Sequence, residues 1–181
     1  MLKNELEYLH YVNEHIHNVN EAFFLLEDVF KLKLTENEYR DLRERVVNHD
    51  NTKFLPPEFQ GYCQWFNPAD GVTKNRAIFE AAWKHHYTYN DHHPEHWYID
   101  DNTAKEMPLV AVCEMFCDWL GMSMKFDNLP SVWFKGKMKK DPFILHPKTV
   151  ELIKTFLPDL DKAYKCYKSG IEFGDLMKQC L

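Results

Sequence analysis

The sequence predicts an all-α protein, and three observations support that fold class. Apolar side chains recur at three- and four-residue steps through most of the 181 residues, as on amphipathic helices. We find no segment with the alternating apolar and polar pattern of a strand. The chain is 45% apolar and 28% charged, a composition that can bury a core. We therefore expect one compact helical bundle that spans residues 1–181 as a single domain.

The first two helices are predicted from their spacing and from a capping signal. The first runs from about Leu2 to Phe30 and carries a continuous apolar stripe. The second begins at Thr35, because Thr35 and Glu38 fit a capping box. The pair Pro56-Pro57 ends this second region. The apolar stripe of the first helix consists of Leu6, Leu9, Val12, Ile16, Val19, Phe23, Leu26 and Phe30.

The next helix follows a loop at residues 67–73 and stops before Pro94, since the residue before a proline disfavours helical geometry. One side of this helix is predicted to carry Ile78, Ala81, Ala82, His85 and Tyr89.

The remaining chain predicts a buried helix, a basic loop and two terminal helices. Residues 108–122 are apolar nearly all round, which indicates a central helix, and Gly121 is its candidate cap. Residues 128–147 are expected to form a loop with several lysines. That loop either attracts an anionic substrate or is a solvated charged segment. The last two helices cover about 148–156 and 159–178, and the second could pack internally or against a partner in an oligomer.

Charge and composition exclude several classes of protein. The net charge of −6 argues against an extended nucleic-acid-binding face. No apolar run is long enough to cross a membrane, and the N-terminal residues lack a signal-peptide core. The five scattered cysteines indicate reduced thiols, with Cys113 and Cys117 buried. We expect a cytoplasmic protein.

Histidine is the outlier in the composition. Five of the ten histidines fall within twelve residues, and histidine is the commonest metal ligand in proteins. Packing alone explains such a cluster poorly, so we interpret it as part of a metal or phosphate site. The five residues are His85, His86, His92, His93 and His96.

Carboxylates accompany the histidines. Glu114 and Asp118 are four residues apart on the predicted buried helix, where a charge must be paired or bind a metal. His49 and Asp50 end the second helix, and Lys53 follows three residues later. Taken singly, each feature could also be a salt bridge or a polar helix end.

The first helix offers one further candidate ligand. His15 lies at the edge of the apolar stripe, whereas His10 and His17 point away from it. Imidazoles and carboxylates from several helices would together suit one or two divalent transition metals, with Asp50 as the bridging ligand.

These residues resemble the HD-domain superfamily of metal-dependent phosphohydrolases. His49-Asp50 stands where the name-giving pair stands, His15 precedes Val19 as in the superfamily's opening helix, and Asp118 matches its closing aspartate. The run His-Asp-Asn-Thr-Lys at 49–53 is similar to the His-Asp-x-x-Lys of its HD-GYP branch, and His-His-Pro-Glu at 92–95 to that branch's His-His-Glu.

The chain is still more similar to a family of small bacterial and phage proteins that has no established reaction. That likeness rests on His-Asp-x-x-Lys-Phe, on Pro-x-Glu-Phe around Glu58, on Asn-x-His-His-Pro-Glu-His and on Glu-Met-x-x-Asp-Trp from Glu114. The Gly-Tyr-Pro signature of the HD-GYP branch is missing, and the intervals from Asp50 to His86 and from His86 to His92 differ from the spacing of that branch. The choice of ligands among the five clustered histidines therefore stays open.

The resemblance implies hydrolysis of a phosphate ester, with a nucleotide or cyclic nucleotide as the expected small phosphorylated substrate. The first metal would be held by His15, His49, Asp50 and Asp118, and a second by Asp50, His86 and either His92 or His93. The ions would be Mn, Fe, Co, Ni or Zn, which polarise a phosphoryl oxygen and activate water.

The same resemblance implies roles for the neighbouring residues. Lys53 would offset phosphoryl charge, and Glu58 or Glu114 would orient the water or a ligand imidazole. The alternatives are a di-iron oxygenase and a non-catalytic metal-binding accessory protein. One of the five tryptophans could stack on a base, although core packing is the favoured interpretation for each of them taken singly.

Overall fold

A computed structural model describes residues 2–170, and it confirms the all-α class. Seven α-helices and two short 3₁₀ helices make up the secondary structure, and this described part contains no strand. The α-helices are α1 Lys3–Lys33, α2 Glu36–Val47, α3 Glu58–Phe66, α4 Arg76–Tyr89, α5 Leu109–Phe126, α6 Pro130–Lys140 and α7 Pro147–Ser169. The 3₁₀ helices are Asn51–Phe54 and Pro94–Trp97.

Helix α5 is the centre of the fold, as its sequence predicts. Most of its side chains are buried, and α1, α2, α6 and α7 all pack against it. Gly121 does not cap α5. It lies inside the helix where α1 comes close, and a Cβ there would be 3.0 Å from the backbone nitrogen of Val19. The helix instead ends at Asp127, which has a left-handed conformation with φ 51°.

The N-terminal half follows the predicted pattern with one omission. The capping box of α2 is present, since Thr35 and Glu38 cap each other's backbone nitrogens. No helix is predicted from the sequence at 58–66, where α3 packs on α4 around Gly61. A second, smaller core lies between α1, α3 and α4 and comprises Tyr8, Val12, Tyr62, Cys63 and Ala82.

The predicted face of α4 is wrong. The buried side chains are Ala82 and His86, whereas Ile78 and Tyr89 are exposed. The helix ends at Tyr89, before Pro94 as predicted, so His92 and His93 lie in the loop that follows.

The predicted basic loop at 128–147 is also wrong, because residues 130–140 form α6. Pro130 suits the first turn of a helix, and lysine is a good helix former. Trp133 and Phe134 pack on Trp119 with ring centroids 5.0 and 5.2 Å away.

The two predicted C-terminal helices are one continuous helix, α7, that passes through Pro158. Phe156 and Leu160 flank the proline and are buried in the core, so their packing offsets the missing hydrogen bond. The predicted stretch 171–178 lies outside the described residues. Cys113 and Cys117 are buried, as predicted.

Candidate metal centre

Seven polar side chains converge at one place between the helices. We call them the inner cluster. They come from α1, from the turn after α2, from α4 and its following loop, and from α5, and all seven are the ligands predicted from sequence: His15, His49, Asp50, His86, His92, His93 and Asp118. That they approach one another is a property of the fold, and that each binds an ion stays a prediction.

Asp50 is the hub of the inner cluster. Its backbone is left-handed, with φ 58° and ψ 17°, a conformation that aspartate tolerates better than most residues. This turn separates Asp50 from helix α2 and lets two consecutive side chains, His49 and Asp50, both face inward. Carboxylate oxygen Oδ2 lies 3.1 Å from His15 Nε2, and Oδ1 lies 3.2 Å from His86 Nε2.

The candidate donor atoms fall into three sets, and within each set they lie within 4.8 Å of one another. The first set comprises Asp50, His86, His92 and His93, the second comprises His15, His49 and Asp118, and the third comprises His49, His92 and Glu114. The first two sets together contain the ligands of the two metal sites expected from the sequence, but Asp50 belongs only to the first of them.

Three buried imidazole nitrogens of the inner cluster make no hydrogen bond within residues 2–170: His15 Nδ1, His49 Nε2 and His92 Nε2. Buried polar atoms are normally hydrogen-bonded. Imidazole nitrogens and carboxylate oxygens are ligands that divalent transition metals accept. The residues present therefore fit a metal ion.

Glu58 and Glu114 contact inner-cluster histidines on the side away from Asp50, and we call them the backing carboxylates. Glu114 Oε1 lies 3.0 Å from His49 Nδ1 and 3.2 Å from His92 Nδ1. Glu58 Oε2 lies 2.7 Å from His86 Nδ1. Each contact fixes an imidazole through Nδ1 and turns Nε2 toward Asp50, as in metal sites whose ligand histidines donate to a carboxylate.

Further residues hold the backing carboxylates, and none of them was among the residues predicted from the sequence. Arg45 Nη1 lies 3.3 Å from Glu114 and 2.6 Å from Asp91. Thr52 donates to Glu58 at 2.9 Å, and Asn90 donates to Thr52 at 2.8 Å. Two signals point to these residues: Arg45 precedes His49 by one helical turn, and Asn90 opens the Asn-x-His-His motif.

The structure separates the clustered histidines. His86, His92 and His93 belong to the inner cluster. His85 instead contacts Glu58 from the outside at 2.6 Å, and the exposed His96 lies 3.0 Å from a backbone oxygen. His10 and His17 are exposed on α1, as predicted.

Electrostatics at the centre follow from burial and close charges. Burial raises the pKa of Asp50, but the nearby His49, Lys53 and His86 lower it by more than burial raises it. The net pKa is therefore well below the usual range of an aspartate. Burial and the neighbouring His92 and His86 lower the pKa of His93, which therefore stays neutral. A neutral imidazole is the form that binds a metal. Burial lowers the pKa of His49, but the neighbouring Asp50 and Glu114 outweigh burial and raise it to about 9, so without a metal ion this imidazole is held as a cation.

An open cavity of about 430 Å³ adjoins the inner cluster. His15, Lys53, His93 and Asp118 line it on the cluster side. The other walls are mainly aromatic and come from α1, α4, α5, α6 and the loop after α6: Tyr11, Trp83, Trp119, Phe126, Trp133 and Phe143. This volume is within the range of small-molecule sites.

A second cavity of about 180 Å³ also reaches the cluster. Four residues line both cavities: Tyr11, Lys53, Trp83 and His93. Tyr8 and Tyr62 line the smaller one, and their buried hydroxyls make no hydrogen bond to any described residue.

The fold and the site thus define an all-helical protein with a buried histidine and carboxylate cluster that could hold a metal ion. The chain belongs to a family of unknown function (DUF5662), whose model matches residues 4–159. That range contains the whole inner cluster and both backing carboxylates. Searches of curated proteins and of solved structures found no match. None of the helices at 2–170 is long and apolar enough to span a membrane.

Proposed function

We propose that this protein is a metal-dependent phosphohydrolase of the HD type that cleaves a phosphate ester. The observation that carries the proposal is the position of Lys53. Its ammonium group contacts Asp50, and its side chain lines the 430 Å³ cavity beside His15 and Asp118. A fixed positive charge next to candidate metal ligands, at the end of a ligand-sized cavity, suits an anionic phosphoryl group.

The candidate ligands divide between two ions. His15, His49, Asp50 and Asp118 would hold the first, and the set of Asp50, His86, His92 and His93 would hold the second. A divalent ion bound there supplies Lewis acidity, which polarises a phosphoryl oxygen and lowers the pKa of water.

The chain's own residues would supply position and charge. Lys53 would bind a phosphoryl oxygen and offset the charge that develops on it. Asp118 lines the cavity with a side chain that is 15% exposed, so its carboxylate can accept a hydrogen bond from an incoming water. Glu58 and Glu114 would keep the imidazoles oriented, and the aromatic walls would limit the access of bulk water.

Elemental analysis of purified variants tests the metal site. We expect near-stoichiometric metal in the wild type and a loss in Asp50→Asn, which removes the charge but tolerates the left-handed backbone. His15→Ala should also lose metal. The matched control is His17→Ala on the same helix, an exposed histidine that should leave the metal content unchanged. Full metal content in Asp50→Asn would contradict the proposed centre.

Activity separates the proposal from the alternatives expected from the sequence. Wild type loaded with Mn, Fe, Co, Ni or Zn would be assayed on p-nitrophenyl phosphate, bis-p-nitrophenyl phosphate and a nucleotide panel. Turnover that His49→Ala abolishes supports a phosphohydrolase. Bound iron with a visible absorption band and oxygen uptake, but no phosphate release, would indicate the di-iron oxygenase. Tight metal binding with neither activity would indicate an accessory protein.

A further inference from the structure

Two cavities approach the inner cluster on either side of the same side chains. The 430 Å³ and 180 Å³ cavities share Tyr11, Lys53, Trp83 and His93 as lining residues. A side chain that lines two cavities lies between them, so these four form the partition. Lys53 belongs to both the partition and the site, since its ammonium group contacts Asp50. A phosphoryl group held at Lys53 would therefore have a cavity on each side.

Each cavity reaches a different group of candidate ligands. His15 and Asp118 line the larger cavity but not the smaller one, and we have proposed them as ligands of one ion. His86 lines the smaller cavity but not the larger one, and it belongs to the set proposed for the other ion. The smaller cavity is thus a second approach to the site. The oxygens of a phosphate point in different directions, so one ester arm can extend into each cavity.

The walls of the smaller cavity suit an uncharged group. Among residues 2–170, Lys53 is the only lysine or arginine that lines it, and no aspartate or glutamate does. Its aromatic walls are Tyr8, Tyr11, Tyr62, Phe66, Phe79 and Trp83. Its volume of about 180 Å³ is close to that of an apolar cavity of about 150 Å³ that holds benzene. The smaller cavity therefore fits one uncharged, ring-sized substituent, and a phosphate with a single arm in the larger cavity would leave it empty.

We propose that the substrate is a phosphodiester, with its larger arm in the 430 Å³ cavity and a ring-sized arm in the 180 Å³ cavity. This inference rests on the proposed function and narrows it from phosphate esters in general to diesters. The single negative charge of a diester matches Lys53, the one lysine that both cavities share. In the hydrolysis, a water oxygen bonds to phosphorus and the P–O bond to one arm breaks. A proton from the water goes to the leaving oxygen, which gives a monoester and an alcohol.

Filling the smaller cavity tests the inference. Metal-loaded wild type and Phe79→Trp would be assayed with bis-p-nitrophenyl phosphate, a diester, and with p-nitrophenyl phosphate, a monoester. Phe79 lines the smaller cavity but not the larger one. We expect the larger indole to lower kcat/KM for the diester by at least about 10-fold and to leave that for the monoester within about 2-fold. The matched control is Phe24→Trp on α1, an exposed phenylalanine that lines neither cavity and should change neither value.

Two results would overturn the inference. One is turnover of the monoester without turnover of the diester in the wild type, and the other is an equal effect of Phe79→Trp on both substrates. Circular dichroism would show whether Phe79→Trp folds. Phe66→Trp supplies a second measurement if it does not, because Phe66 is 50% exposed at the rim of the smaller cavity and should give the same selective loss.

Binding distinguishes failure of this inference from failure of the proposed function. Isothermal titration calorimetry would measure the affinity of the metal-loaded protein for phenyl phosphate and for diphenyl phosphate, with or without turnover. Tighter binding of diphenyl phosphate, lost in Phe79→Trp, supports the inference even if no ester is cleaved. Equal affinities for the two ligands, or no binding of the diester, would refute the inference. Hydrolysis of p-nitrophenyl phosphate in that case would leave the phosphohydrolase intact.

Discussion

Glu114→Gln should weaken metal binding while leaving every proposed ligand in place. In the wild type, one carboxylate oxygen faces His49 Nδ1 at 3.0 Å and His92 Nδ1 at 3.2 Å, and the other accepts from Arg45 at 3.3 Å. A glutamine keeps the shape but loses the charge. It also places an amide N–H₂ group against a donor, either an imidazole or the guanidinium of Arg45.

The size of the effect follows from these contacts. Loss of a carboxylate that orients a ligand histidine lowers metal affinity about 10- to 100-fold, which corresponds to roughly 1.4–2.8 kcal/mol. Glu114 serves two imidazoles, so we expect the upper part of that range.

The assay is a competition titration of the apo-protein against a chromophoric chelator at fixed pH. Circular dichroism would confirm that the variant stays helical. Glu27→Gln is the matched control, because Glu27 also accepts a hydrogen bond from a ring substituent, the Tyr39 hydroxyl at 2.5 Å, but lies outside the inner cluster and its backing carboxylates. An affinity of folded Glu114→Gln equal to that of the wild type would refute the orienting role.

Three further predictions concern stability and reactivity. Removal of metal by a chelator should lower the Tm by roughly 5–10 °C relative to protein with metal at 100 times its Kd. An unchanged Tm in a thermal unfolding scan would contradict metal binding. Gly121→Ala should lower the free energy of unfolding, measured with denaturant, by about 1–3 kcal/mol, because the new Cβ meets the α1 backbone at Val19. The control Gly136→Ala places its Cβ in open space on α6 and should be neutral or stabilising. Equal effects of the two substitutions would refute the close packing at Gly121. Burial raises the pKa of the Cys113 thiol to about 12, so iodoacetamide at pH 8 should label Cys113 only after unfolding. Peptide mapping would measure the labelling, and rapid labelling in the folded protein would contradict the burial of this thiol.

Local sequence patterns predicted the helices well where one face is strongly apolar. Helices α1 and α5 match their predicted positions because burial of apolar side chains dominates their energetics, and α2 begins where the capping box of Thr35 and Glu38 predicts. The pattern failed for α6, whose lysines resemble a loop while Trp133 and Phe134 supply the packing face. It also chose the wrong face of α4, since two histidines and several aromatic residues there obscure the apolar period.

The composition of the candidate site was also readable from the sequence. The histidine cluster stands out in the composition, but His15, His49, Asp50 and Asp118 were singled out through the resemblance to the HD-domain superfamily, because each of them taken singly also fits a salt bridge or a polar helix end. The sequence does not identify the residues that support these side chains. Arg45 and Thr52 are ordinary polar residues, and their role follows only from their hydrogen bonds to Glu114 and Glu58 in the folded protein.

The sequence by itself therefore determined the helical class and the central buried helix, since these depend on residue type and local period, and it proposed the candidate ligands through a family resemblance. Only the tertiary structure decided which histidines meet and which carboxylate backs each of them. The contacts between the backing carboxylates and the inner-cluster histidines join residues 22 to 65 positions apart, from His92 with Glu114 to His49 with Glu114, and depend on how helices cross. The left-handed turn at Asp50 and the close approach of α1 to α5 at Gly121 set that geometry, and no local pattern encodes either.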